Sequence, residues 1–218
     1  MMRGRKIIIL DLDDTLYKEI DFLRSAFQEI AFYIGIPDTY GRMLRYWQQG
    51  ENVFERIIVD YNLNMSINEL LRVYREHKPD ITLDVETVKT LDKLSKSCIL
   101  GIITDGRSLT QRNKVVALGL DEYISGENIL VSEETGFEKP SQVPYQIIMN
   151  KFPHCTYWYV GDNPTKDFLA PNQLGWNTIC LLDDGRNIHK QTFSLDSQFL
   201  PKFRIRKLTE VLDFVCDL

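Results

Sequence analysis

IIILDLDDTLY, residues 7–17, runs four aliphatic residues straight into three carboxylates, Asp11, Asp13 and Asp14. The aliphatic half reads as a strand buried on both faces, as at the centre of a parallel sheet. The acidic half then falls at the carboxyl end of that strand, where open α/β sheets collect ligands. Like charges this crowded repel one another, so the segment calls for a compensating cation.

Further short aliphatic runs follow at Cys98–Ile103, Ile129–Ser132, Tyr157–Val160, Thr178–Leu182 and Phe203–Ile205, with helical patterns in most of the gaps. That alternation predicts an α/β fold, a Rossmann-like doubly wound parallel sheet. Asp84–Lys96 places Val85, Val88, Leu91 and Leu94 on one helical face, with an acidic start and a basic end that suit the helix dipole. A helix over Ser108–Leu118 closes at Gly119. Residues 17–83 break the pattern: four helical segments and no strand, the last opened by a Ser66/Glu69 capping box. The expected organisation is a core of 1–16 and 84–218 with a helical insert, 17–83, hinged at Tyr17–Glu19 and Lys78–Leu83. The tail from Arg204 reads as a final strand and a packing helix.

A chain of 218 residues with 44% hydrophobic content can bury a substantial core. The net charge of −5, with both signs interspersed, offers no basic field for nucleic acid or an anionic membrane. No stretch is long and apolar enough to span a bilayer, and the opening MMRGRK precedes too short an apolar run for a signal peptide. Four cysteines without CxxC spacing read as small buried residues in a reducing compartment, so a cytoplasmic protein is expected.

Four polar clusters fall at strand ends or helix starts: Asp11 to Thr15, Thr104-Asp105-Gly106, Glu138-Lys139-Pro140-Ser141, and Gly161-Asp162-Asn163-Pro164 with Asp167. Asp11, Asp162 and Asp167 offer hard oxygen ligands suited to Mg²⁺. A carboxylate can also attack phosphorus through an aspartyl-phosphate. If Asp11 attacks, Asp13 lies two residues on to protonate the leaving oxygen and later to take a proton from water. Lys139 and the Thr104 hydroxyl would hold phosphoryl oxygens, with backbone N–H groups near Leu12, Asp13, Asp105 and Gly106 as further donors.

Together DLDDT at 11–15, TDG at 104–106, the lysine of FEKPS at 137–141 and GDNPTKD at 161–167 resemble, in order and spacing, the four motifs of the haloacid dehalogenase-like (HAD) hydrolase superfamily. The helical insert resembles that family's C1 cap. The resemblance implies a Mg²⁺-dependent phosphatase, with Asp11 as nucleophile and metal ligand. Asp13 would be the acid and base, its carbonyl on the metal. It further implies Thr104 and Lys139 as phosphate ligands, Asp162 as a metal ligand and Asp167 as a metal-water or lysine-orienting group. Dehalogenating members lack the second aspartate, so Asp13 favours phosphate esters. The sequence departs from the family at Asp105, where many relatives carry Asn, and in DFLAPNQLGW, where Pro171 needs a helix starting near Ala170.

The expected substrate is a small phosphomonoester such as a nucleotide or sugar phosphate. Alternatives are a phosphomutase of the same fold, a receiver-type phosphotransfer module and a non-catalytic binding protein. A receiver has no use for an acid two residues past the acceptor, nor for a large insert. Asp14 reads as a structural cap, Tyr46 and Trp47 as packing aromatics, and Arg107 as an exposed loop residue as readily as an anion contact. His77, His154 and His189 have no ligand spacing.

Overall fold

A computed structural model describes residues 5–215. In strand β1 (Lys6–Leu10), Ile7, Ile8, Ile9 and Leu10 are all fully buried. Successive strand side chains face opposite ways, so Ile7 and Ile9 pack with Tyr145, Ile148 and Tyr159, while Ile8 and Leu10 pack with Leu91, Leu94 and Leu100. Each such side chain stabilises the fold by about 1.5–3 kcal/mol relative to exposure. Two apolar layers therefore clamp the strand that carries Asp11.

Beyond β1 the chain leaves the sheet for α1 (Glu19–Ile34), α2 (Thr39–Gln48), α3 (Val53–Asp60) and α4 (Ile67–Glu76). These four helices enclose a separate apolar cluster of Ile20, Leu23, Phe27, Ile30, Met43, Ile57 and Leu70. Helix α1 lacks a cap from its own N-cap residue, Lys18. Asp14 supplies one from outside: its Oδ1 accepts the Glu19 N–H at 2.9 Å. At the start of α4 the capping box is present, with Glu69 N–H to Ser66 Oγ at 3.2 Å and Ser66 N–H to Glu69 Oε2 at 2.7 Å.

The core resumes with α5 (Val85–Ser97), capped by Asp84, then β2 (Ile99–Thr104), α6 (Ser108–Ala117), β3 (Ile129–Val131), α7 (Ser132–Thr135) and α8 (Val143–Lys151). It continues with β4 (Thr156–Gly161), α9 (Leu169–Gln173), β5 (Asn177–Leu181), β6 (Phe203–Ile205) and α10 (Val211–Val215). All six strands are parallel, in the order β3-β2-β1-β4-β5-β6. Strand order reverses between β1 and β4, which opens a crevice at their carboxyl ends. Helix α4 is tied to α6 beside that crevice, where Thr110 Oγ1 donates to the Arg75 carbonyl at 2.9 Å.

Two details differ from the sequence expectations. Strand β3 stops at Val131 because Ser132 begins α7 and turns its Oγ to the Gly106 N–H, 2.9 Å away. Of the cysteines only Cys180 is buried; Cys98 and Cys155 are half-exposed thiols at element ends, and Cys216 lies outside the described residues. Pro171, as expected, lies in the first turn of its helix: α9 begins at Leu169, next to Ala170.

Candidate active site

The four clusters meet at the β1/β4 crevice. The Asp11 N–H donates to the Val160 carbonyl at 2.8 Å, prolonging the β1–β4 ladder by one residue and fixing where the Asp11 side chain leaves the sheet. Gly161 ends β4 because nothing larger fits: a Cβ there would lie 2.5 Å from Asp167 Oδ2. That close approach lets Asp167, which is fully buried, sit beneath the crevice.

Lys139 stands at the centre. Its Nζ donates to Asp11 Oδ1 at 2.6 Å, to Asp167 Oδ1 at 2.7 Å and to the Tyr159 hydroxyl at 3.3 Å. Asp167 accepts four donors in all, since Tyr159 OH also reaches Oδ1 at 3.2 Å and the Asp162 and Asn163 N–H groups reach Oδ2 at 3.1 and 2.8 Å. A carboxylate has about four lone-pair positions. Asp167 is thus fully engaged in orienting Lys139 and the β4 loop. Asp11 Oδ2 and Asp162 Oδ1, by contrast, have no protein hydrogen-bond partner among the described residues; Asp162 Oδ2 accepts from Asn187 Nδ2 at 2.8 Å.

Asp13 is held from three sides. Lys114 Nζ lies 2.7 and 2.9 Å from its two oxygens, Gln111 Nε2 donates to Oδ2 at 3.0 Å, and the Tyr17 hydroxyl donates to Oδ1. Gln111 Nε2 also donates to Thr104 Oγ1 at 2.6 Å. Gln111, Lys114, Tyr159 and Asn187 have no motif that singles them out in the sequence, and Tyr17, expected at a hinge, instead bonds the Asp13 carboxylate. The one available signal is that Gln111 and Lys114 sit three apart on the helix after Thr104, so they share a face.

The remaining candidates fall into place around this centre. Asp105 Oδ1 accepts the Lys139 N–H at 3.0 Å, tying together the loops after β2 and before α8. The Gly106 N–H is committed to Ser132, and Gly106 lies outside the cleft. Asp14 bridges Glu19 and the Ile188 N–H, a structural cap. Arg107 points outward to Glu133 at 3.6 Å. Tyr46 bonds Asp60 and packs with Trp47 on the four-helix cluster, away from the crevice. His189, unmarked by spacing, borders the cleft, and His77 is buried against Ser25.

The cleft encloses about 140 Å³ and is lined by Asp11, Asp13, Glu19, Thr104, Lys139 and Asp162, among others. Oxygens of Asp11, Asp162 and Asp167 lie within 4.8 Å of one another, and the lone buried ammonium among them is Lys139. Burial lifts the Asp11 pKa to about 7, partly countered by Lys139, and burial with the charges of Asp167 and Asp11 lifts Asp162 to about 9. Glu19, at the start of α1, rises to about 8 through burial and the charge of Asp13. Burial also opposes the Lys139 charge, but Asp11 and Asp167 outweigh it and hold that group well above its ordinary value. For Asp13 burial is likewise outweighed, here by Lys114, and its pKa is lowered. Anionic charge exceeds cationic charge around Asp11 and Asp162, and carboxylate oxygens are hard donors. The chemistry of that donor set fits Mg²⁺.

Buried acids and two buried lysines, Lys139 and Lys114, thus gather at the switch point of a parallel α/β core that carries an inserted helical unit. The chain belongs to the haloacid dehalogenase-like hydrolase family, whose model matches residues 8–181. It is 27% identical over 241 aligned positions to the glyceraldehyde 3-phosphate phosphatase of Methanocaldococcus jannaschii, covering 100% of this chain and 99% of that one. The Pyrococcus furiosus protein of the same name is 28% identical over 82% of this chain and 81% of its own length. Among solved structures, the HAD-hydrolase YfnB of Bacillus subtilis bound to magnesium superposes with a TM-score of 0.73 at 20% identity, covering 99% of this chain and 100% of that one.

Proposed function

We propose that the protein is a Mg²⁺-dependent phosphatase of small phosphomonoesters that works through an aspartyl-phosphate on Asp11. The observation that carries this reading is the pairing of an unengaged Asp11 Oδ2 with Lys139 Nζ at 2.6 Å from Asp11 Oδ1. The lysine holds the carboxylate in one rotamer and leaves its second oxygen directed to the cleft. Asp11 Oδ2 attacks phosphorus, the ester P–O bond breaks, and the leaving oxygen takes the proton of the Asp13 carboxyl. Asp13, now a carboxylate, takes a proton from water as that water attacks phosphorus, and the bond to Asp11 breaks to release inorganic phosphate. Thr104 and Lys139 hold the phosphoryl oxygens throughout.

Asp11, Asp162 and the Asp13 carbonyl would hold Mg²⁺, which supplies charge neutralisation at the phosphoryl oxygens. Asp167, with its lone pairs already taken, orients Lys139 instead. The inserted helices, residues 17–83, act as a cap that bounds the cleft from above, with Glu19 as its contribution to the lining. A cleft of about 140 Å³ favours small esters, and the names of the relatives make triose phosphates the first to try.

A panel of phosphorylated metabolites and p-nitrophenyl phosphate, assayed for released phosphate with magnesium or with chelator, tests the reading. Hydrolysis that needs magnesium is expected. Phosphate release unaffected by chelator, or none from any ester, would overturn it.

A further inference from the structure

Asp13 receives more contacts than a freely acting acid needs. Tyr17 and Lys114 reach Oδ1, and Lys114 and Gln111 reach Oδ2, so its lone-pair positions are all occupied and none is left for a proton. One contact must therefore open whenever Asp13 carries its proton. The Tyr17 hydroxyl can rotate about its C–O bond. Lys114 is only 3% exposed, and its Nζ is closed in by the Phe22 ring at 4.3 Å to the centroid, so withdrawal would strand a buried charge. Gln111, 2% exposed, spends both amide hydrogens, one on Asp13 and one on Thr104 Oγ1, which fixes its plane. The two residues share one face of α6, itself anchored to the sheet that carries Thr104.

We infer that Lys114 and Gln111 are positioning residues: together they aim the Asp13 carboxyl at the departing ester oxygen, and Gln111 sets its distance from the phosphoryl-holding Thr104. The inference rests on the phosphatase reading above. Phe22 belongs to α1, so the same ammonium also registers the inserted helices against the acid.

The test compares kcat/KM for p-nitrophenyl phosphate, whose phenolate departs without a proton, with that for glycerol phosphate, whose alkoxide does not. Lys114→Met and Gln111→Leu should lower the value for glycerol phosphate on the order of tenfold more than that for the aryl ester. Lys114→Arg, which keeps the charge and the donors, should recover part of the difference. Thermal melts establish that each variant is folded; if Lys114→Met is not, Gln111→Leu decides alone. Equal losses for both esters in a folded variant, or a ratio moved toward the alkyl ester, would overturn the inference while leaving the phosphatase reading intact. If glycerol phosphate is not turned over, the alkyl ester of the metabolite panel that is turned over takes its place, and wild-type protein that hydrolyses no ester at all would overturn both.

Discussion

Lys139 Nζ sits between Asp11 and Asp167, 2.6 Å from Oδ1 of one and 2.7 Å from Oδ1 of the other, with all three side chains buried. One ammonium thus bridges two carboxylates and offsets part of their charge where water is nearly excluded. Lys139→Met would leave two buried acids facing each other. Removing one partner of a buried pair costs on the order of 3 kcal/mol. Urea unfolding should show that loss, and hydrolysis should fall below detection. A variant with wild-type stability would show that the pair contributes no net stabilisation.

Gly161 is where backbone and side chain come closest. A Cβ at that position would stand 2.5 Å from Asp167 Oδ2 and 2.8 Å from its Cγ. Gly161→Ala should therefore push Asp167 off Lys139 and reduce kcat at least as strongly as Asp167→Asn, which keeps the shape. Activity of Gly161→Ala near wild type would mean that Asp167 can move without consequence.

Asn187 steadies Asp162 by donating to Oδ2 at 2.8 Å, and its own Oδ1 accepts from Lys18 Nζ at 2.7 Å. Loss of a group that orients a metal ligand typically weakens the metal about 10–100-fold. Titration calorimetry of Asn187→Ala with magnesium should show a shift in that range. An unchanged affinity would remove Asp162 Oδ1 from the proposed ligand set.

Asp11, Glu19 and Asp162 all bind protons more tightly in the folded chain, with native pKa values of about 7, 8 and 9 against ordinary values of 3.8, 4.5 and 3.8. Folding takes up protons across that window. The stability these groups contribute is complete below about pH 4 and is lost as pH rises through about 7–9. Metal-free protein should accordingly melt at progressively lower temperature between about pH 5 and pH 9. Magnesium, which competes with those protons, should raise the melting temperature more at the alkaline end. A flat profile, or a magnesium effect that shrinks with pH, would contradict the assignment.

The parallel α/β fold and the meeting of Asp11, Thr104, Lys139 and Asp162 were legible because each sits at the end of an aliphatic run or the start of a helix, and parallel connections leave such ends on one edge. Asp14 as a cap was equally readable from its position before a helical pattern. Lys114, Gln111 and Tyr159 were not, since their roles depend on which helix or strand face turns inward in three dimensions. Asn187 was hidden for another reason: the segment between β5 and β6 is mostly irregular, so no periodicity places it against Asp162. Ser132 looked like strand because an apolar run precedes it, and its contact with Gly106 lies 26 residues away in sequence.

The central claim is that Asp11 itself takes the phosphoryl group. Acid-quenching the enzyme during turnover of a phosphate ester and mapping the peptides by mass spectrometry tests it most directly. The expected result is a phosphoryl adduct on the peptide holding residues 7–17, located at Asp11, with both the adduct and the hydrolysis lost in Asp11→Asn. An adduct on another residue, or Asp11→Asn hydrolysing the ester at the wild-type rate, would contradict it.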